Sequence, residues 1–533
     1  MNIKYPTYFI FAFVMFLHLG VITFAQDDNS SGNIESPKTE DNNTLIDNTT
    51  DNTTDTSNET PSVNPPDAET TTTDPGKSDD DWGSADSTWG DSSFENSTDT
   101  NKKDLKVFLE NDNYFNTAPD ESFNTAYKKC EIRANVDFAT SIDNLSFKLV
   151  TDAYFTPRLL SDNIYSAHTY SESFRVMRNG SISGESYELN PRQAYVGYED
   201  GKYRIRAGNQ LFNWGTADVF NPTSYFNPFD MREYLLKDDD EMKYGVPAIS
   251  GLYTIGATSL EAVITPVHIP LTFANKNAFW ELKYNEGPFP VNIEQPSSLP
   301  LSFYNCGIGL QYYFNYFKTD FYISVYHGPD DEPLMRPIGT KITPNEPLSI
   351  IISPEYKTVD MTGLAFSKSV SRFVIQAEGV YSFNKYGVIE QDYTTDLKFP
   401  LSIDKSHFIS YSTGINYFIP LNDIIPGHQG TSVATLEWMQ SIYFDDRMMA
   451  PLLTKIIIAR MQDTIMDEKL DIIFTTIYDT QNSSIIVMPE TGYKINSNLS
   501  LKVSYSFIKS DPDSFMGYYN DNDILSWRLR YEF

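Results

Sequence analysis

Between residue 104 and the final Phe533 one pattern recurs: short runs in which apolar and polar residues alternate, separated by polar, Gly- and Pro-containing segments. The clearest is Leu499-Ser-Leu501-Lys-Val503-Ser-Tyr505-Ser-Phe507. A side-chain period of two places all five apolar groups on one face of a strand. Cys130, Ile132, Ala134, Val136 and Phe138 follow the same rule, as do Leu145, Phe147 and Leu149. The chain ends on Leu525, Trp527, Leu529, Tyr531 and Phe533, interleaved with Ser526, Arg528, Arg530 and Glu532. Such alternation fits a soluble sandwich, whose apolar faces share a core. It fits equally a membrane barrel, whose apolar face meets lipid while its polar face lines a wet lumen.

Strand length and spacing separate these readings. About eighteen runs can be marked, or sixteen on a stricter count, and many are close to the roughly 9–11 residues that cross a bilayer when tilted. Two of them lie at 302–315, with Cys306 on an apolar face beside Tyr304, Ile308 and Leu310, and at 451–461. Tight turns at Glu199-Asp200-Gly201, Ala257-Thr258 and Ser369-Val370 alternate with long connections at 156–185, 211–245, 267–301 and 328–357. The longish turn at 419–429 and the short loop at 479–482 are exceptions. Short periplasmic turns opposite long extracellular loops are the layout of outer-membrane barrels. With both chain ends on the short-turn side, the strand count must be even. The expected fold is all-β: a transmembrane antiparallel β-barrel of about 18 strands spanning 104–533.

The N-terminus reads as an export signal over 1–25. Lys4 is followed by an apolar core from Phe9 to Leu19 and by Thr23-Phe24-Ala25 ahead of a cleavage point. Residues 26–103 form an Asn/Thr/Ser/Asp-rich leader with too little apolar surface to offset chain entropy, so disorder and a periplasmic position are expected. The whole chain carries a net charge of -32, which argues against nucleic acid as a partner. Cys130 and Cys306 give no disulfide framework. The histidines form no ligand pair, and there is no nucleophile elbow or phosphate loop. Asp238-Asp239-Asp240-Glu241 lacks the spacing of a helical calcium loop. No catalytic residue, metal or cofactor is assigned.

The most distinctive stretch is "RQAYVGYEDGKYRIRAGNQLFNWGTADVFNPTSYFNPFDMREY". Arg206-Ala-Gly208-Asn-Gln210, Trp214-Gly215, Asp218, Asn221-Pro222 and Pro228-Phe-Asp230 occur in that order, with Pro266 and Pro270 further on. In these residues the chain resembles the large family of Gram-negative porin-like outer-membrane barrels of poorly defined function. The resemblance covers roughly residues 190–275. It implies a porin-like channel set in outer-membrane lipid; the missing catalytic motifs point to no enzymatic role, and the terminal Phe533 to the barrel-assembly machinery as the partner in biogenesis. It does not fix the oligomeric state.

Two readings of the Trp214 loop stand side by side. The loop folds into the lumen and narrows it, with Arg204, Arg206, Gln210, Trp214, Asp218 and Asn221 at the constriction; or Trp214 and the Asn-Pro turns pack a rigid cap while the arginines pair with lumen acids. Lumen-side residues elsewhere are mixed in sign, which predicts weakly selective passage of small hydrophilic solutes. The alternative is a barrel that anchors long loops for surface adhesion. In the leader, Trp82-Gly-Ser-Ala-Asp86 echoes Trp214-Gly-Thr-Ala-Asp218, read either as a docking motif for a periplasmic partner or the lumen, or as chance in so biased a tract, the favoured of the two. At the other end, Trp527, Leu529, Tyr531 and Phe533 form a lipid-facing stripe on the strand that closes the barrel, and the terminal Phe resembles a barrel-assembly signal.

Overall fold

The structure, a computed structural model, describes residues 103–533 apart from 118–125, 158–174, 234–236, 238–240, 277, 283–290, 344–345, 391–398, 426–427, 429, 450, 452–453 and 513–514. The export signal, nearly all of the leader with its Trp82 echo, and the acid run except Glu241 lie outside the described residues.

Eighteen strands form one closed antiparallel wall. They are β1 (Lys103–Asn116), β2 (Tyr127–Ile142), β3 (Leu145–Phe155), β4 (Tyr187–Asp200), β5 (Tyr203–Gln210) and β6 (Val246–Ile255). Next come β7 (Thr258–Thr265), β8 (Gly307–Tyr316), β9 (Thr319–Pro329), β10 (Thr358–Val370), β11 (Phe373–Val388) and β12 (Ile403–Ile419). The last six are β13 (Ser432–Tyr443), β14 (Lys455–Ile465), β15 (Leu470–Asp479), β16 (Ser484–Lys494), β17 (Leu499–Lys509) and β18 (Ile524–Glu532). Each pairs with its neighbours in sequence. β18 returns to β1, from Phe108 opposite Glu532 to Asn116 opposite Ile524. Closure satisfies every ladder and leaves no free edge.

The alternation fixes which way each side chain points. Leu525, Leu529, Tyr531 and Phe533 are 38, 42, 44 and 75% exposed on the outer surface, and Trp527 stacks on Phe115 at 5.0 Å. Tyr203, Tyr253, Tyr312, Tyr316, Phe317, Phe373, Tyr493 and Tyr531 lie toward the short-turn end of that surface. Ile205, Ile249, Ile264, Leu364 and Leu436 stand exposed above them. An apolar band edged by aromatics is the surface a barrel presents to a bilayer. The inward positions are polar or charged along most strands.

The two ends differ as the turn lengths predict. Turns at 143–144, 201–202, 256–257, 317–318 and 371–372 lie at one end with Lys103, where the described residues begin, and Phe533. The long connections 156–186, 211–245, 266–306 and 330–357 lie at the other. Both exceptions hold: 420–431 is long and contains the helical turn Leu421–Ile424, and 480–483 is short. Two strand starts need correction. Residues 303–305 form a helical turn, capped where Ser302 Oγ accepts from Tyr304 N. Cys306 therefore precedes β8, its thiol against Pro266 O and Ser302 O. β14 begins at Lys455 rather than 451 and continues to Ile465 opposite Leu470.

Two long loops turn into the lumen instead of projecting from it. Ala274, Ala278 and Trp280 pack against inward Ile456, Ile458, Ile477, Ile486 and Ile508 near the long-loop end. Trp214, Tyr225 and Phe226 pack against Val263, Tyr326, Val359 and Val380 on another part of the wall. The loops are stapled to each other by parallel pairing of Asp230–Met231 with Thr272–Phe273.

Candidate functional site

The loop 211–245 leaves β5 after Gln210, enters the lumen and returns to β6 at Val246. Its first half is held by three single carboxylates on inward faces of the wall. Trp214 Nε1 donates to Glu261 Oε2 of β7 at 2.8 Å. Glu378 of β11 accepts the backbone N–H groups of Thr216 at 2.5 Å, Ala217 at 3.2 Å and Thr223 at 3.4 Å. Glu437 of β13 accepts those of Asp218 and Val219 at 3.2 Å and Phe220 at 2.9 Å, with Ser412 Oγ donating at 3.0 Å. Converging N–H donors satisfy the buried carboxyl oxygens and an irregular backbone that has no ladder partner.

The loop approaches closely because two glycines permit it. Gly215 has φ +116°, and a side chain there would meet Asn221 and Glu378. A Cβ at Gly309 on β8 would strike the rings of Phe226 and Trp214. Trp214 is 3% exposed and meets Tyr225 and Phe226 edge-on at 6.0 and 5.0 Å.

The second half of the loop docks through buried ion pairs onto the wall made by β18 and β1 to β4. Lys129 reaches Glu233 at 2.8 Å, Asp112 at 2.9 Å and Glu131 at 3.2 Å. Arg232 donates to Glu188 at 2.6 Å and Asp230 at 2.5 Å, and Lys237 to Asp230 at 2.6 Å. Burial would push the Asp230 carboxyl up, but Arg232 and Lys237 hold it well below the usual carboxylate range. Glu241 pairs with Arg133 and, at 3.4 Å, with Arg528. Tyr114 OH donates to Glu233 at 2.6 Å.

Of the residues singled out from sequence, Trp214, Asp218 and Asn221 all enter the lumen, Trp214 on Glu261, Asp218 on Glu437 and Asn221 beside Glu378. Trp214 is packed as a rigid anchor, not presented to an open passage. Gln210 caps β5, donating to Ala248 O at 3.0 Å and accepting from Ser250 Oγ at 2.7 Å. Arg204 and Arg206 lie on the inward face of β5 nearer the short-turn end, Arg206 over the Tyr195 ring at 4.8 Å. On the closing strand Trp527, Leu529, Tyr531 and Phe533 face outward, while Arg528 pairs inward with Glu110 and Asp112 at 3.3 Å.

Burial changes along the lumen. Asp152, Arg133, Glu378, Ser412 and Glu437 are buried at the level of the loop. Toward the short-turn end Asp137, Lys148, Arg204, Arg206, Asp320, Gln462, Glu490, Lys502 and Arg530 face inward and remain partly exposed. Pairs such as Lys148–Asp137 at 2.7 Å and Lys502–Glu490 at 3.0 Å mix the signs along this polar vestibule.

No family model matches the chain, and no curated protein matches it. Among solved structures it is similar to OccAB1 of Acinetobacter baumannii, at TM-score 0.44 and 8% identity over 81% of this chain and 95% of that one. It is similar to a BenF-like porin from Pseudomonas fluorescens Pf-5, at TM-score 0.41 and 8% identity over 81% and 98%. It is also similar to OmpF of Salmonella typhi in complex with daunomycin, at TM-score 0.36 and 10% identity over 82% and 99%.

Proposed function

We propose that the chain is an outer-membrane channel for passive, weakly selective passage of small hydrophilic solutes. The observation that carries this is the polar, sign-mixed vestibule running inward from the short-turn end of a closed barrel to a loop fixed across the lumen. On this reading the loop 211–245 is the constriction. Trp214, Asp218 and Asn221 set its position, and Arg204 and Arg206 line the approach to it. Orientation follows from the turn lengths, with short turns and leader in the periplasm. The lipid-facing stripe ending at Phe533 serves recognition by the barrel-assembly machinery. Surface adhesion is the less favoured reading, because much of the long-loop mass is committed to the lumen. Conductance of the purified protein in planar bilayers tests the proposal.

A further inference from the structure

The lipid-facing surface ends unevenly around the long-loop rim. Phe155 on β3, Tyr187 on β4, Phe383 on β11, Tyr478 on β15, Phe507 on β17 and Trp527 on β18 stand outward there. From β5 to β10 the strands supply no such aromatic among the described residues. Their outward positions at that end are Asn209, Pro247, Ile264, Ile308, His327 and Asp360. The His327–Asp360 pair, at 2.6 Å and half exposed, marks where this sector turns from apolar to charged. Membrane barrels carry interfacial aromatics at both edges of the apolar band, so a gap this wide calls for another source.

The loop 266–306 supplies one. As it returns to β8, Leu301, Phe303 and Tyr304 stand 69, 80 and 81% exposed, just ahead of Ile308 in the apolar band. The turn that presents them is braced: Ser302 caps it, and Asn305 Nδ2 donates to Pro300 O at 2.8 Å. The limb before it is tied to the lumen half of the same loop, because Gln295 Nε2 donates to Phe273 O at 3.2 Å and Ala274 O at 3.1 Å.

We propose that Leu301, Phe303 and Tyr304 insert at the boundary between headgroups and acyl chains in the leaflet on the long-loop side, and so pin the return limb of a lumen loop to the membrane. Continuity decides for lipid as the occupant. The three side chains extend the surface of Ile264, Ile308 and Leu310, which already meets acyl chains, and an aromatic with one polar end suits a boundary with one wet side. The loop is then held twice, by Ala274, Ala278 and Trp280 inside the lumen and by residues 301–304 outside it.

A nitroxide at residue 303 reads this directly. The full chain with Cys130→Ala, Cys306→Ala and Phe303→Cys is labelled and reconstituted into phospholipid vesicles. The label should favour dissolved oxygen over a water-soluble nickel chelate, as the same label does at Phe383, whereas a label at the exposed loop residue Glu332 should favour nickel. Nickel access at 303 equal to that at 332 would overturn the proposal. So would spin–spin broadening between copies, which would make a second barrel the occupant. The pinning is read by hydrogen exchange in unlabelled vesicles. Phe303→Ser/Tyr304→Ser changes only exposed side chains and should keep the heat-modifiable gel shift, but its Leu299 amide should exchange severalfold faster than in the wild type. Equal exchange in the folded variant would overturn the pinning. None of these readouts depends on conductance.

Discussion

Lys129 of β2 and Glu233 of the lumen loop meet at 2.8 Å, although they lie 104 residues apart in the chain. Both are almost wholly buried, and the same ammonium group also reaches Asp112 and Glu131. It is the hub through which the second half of the loop is fixed to the wall.

Removing the hub should therefore cost more than its surface area suggests. Lys129→Met leaves Asp112, Glu131 and Glu233 short of their cation in a low-dielectric site. Breaking one side of a buried pair costs about 3–5 kcal/mol. The expected outcome is a lower temperature for the heat-modifiable gel shift, with the barrel still assembled. A Lys129→Met barrel melting with the wild type would mean that the network contributes nothing.

The opposite anchors should control the loop more than the barrel. Glu437→Ala strands three loop N–H groups and Ser412, and Glu378→Ala strands three more N–H groups. Each unsatisfied buried group costs about 1–3 kcal/mol. We expect larger and noisier single-channel currents from both variants. Gly215→Ala should act in the same direction, because its positive φ disfavours a side chain by roughly 1–2 kcal/mol and the added carbon would collide with Glu378. Currents identical to wild type in all three would place the constriction elsewhere.

The long-loop end carries a titratable contact. His268 Nδ1 accepts from Leu299 N at 3.2 Å, and its ring lies 4.1 Å from that of Tyr356. Burial, and then the nearby Arg178, push its pKa down to about 4. The unfolded chain takes up this proton near pH 6.5 while the folded chain resists it, so stability falls as pH drops from about 6.5 to 4, by about 3 kcal/mol in all. Hydrogen exchange at the Leu299 amide should accelerate across that window. In His268→Gln the acceleration should disappear.

Much of the fold was legible because strand periodicity is local. A period of two survives in Leu499 to Phe507 whatever the rest of the chain does, and turn lengths reveal which ends of the strands lie together. Boundaries were less legible where a local cap intervenes, as when Ser302 converts 303–305 into a helical turn and moves Cys306 off the strand. The Trp214 loop was visible through its Trp-Gly and Asn-Pro pairs. Its receptors were not. Glu261, Glu378 and Glu437 each stand as a single acid on an inward face, indistinguishable in sequence from any other lumen residue. Their contacts with the loop span up to 219 residues. Lys129 and Arg232 were hidden for the same reason, since nothing local marks a charge whose partner across the loop–wall contact lies far away along the chain.

The channel assignment itself is tested most directly by reconstituting the purified full chain into planar bilayers. The account predicts discrete, ohmic conductance steps with weak preference between small anions and cations. A correctly folded barrel that carries no current and passes no small solute into liposomes would contradict it.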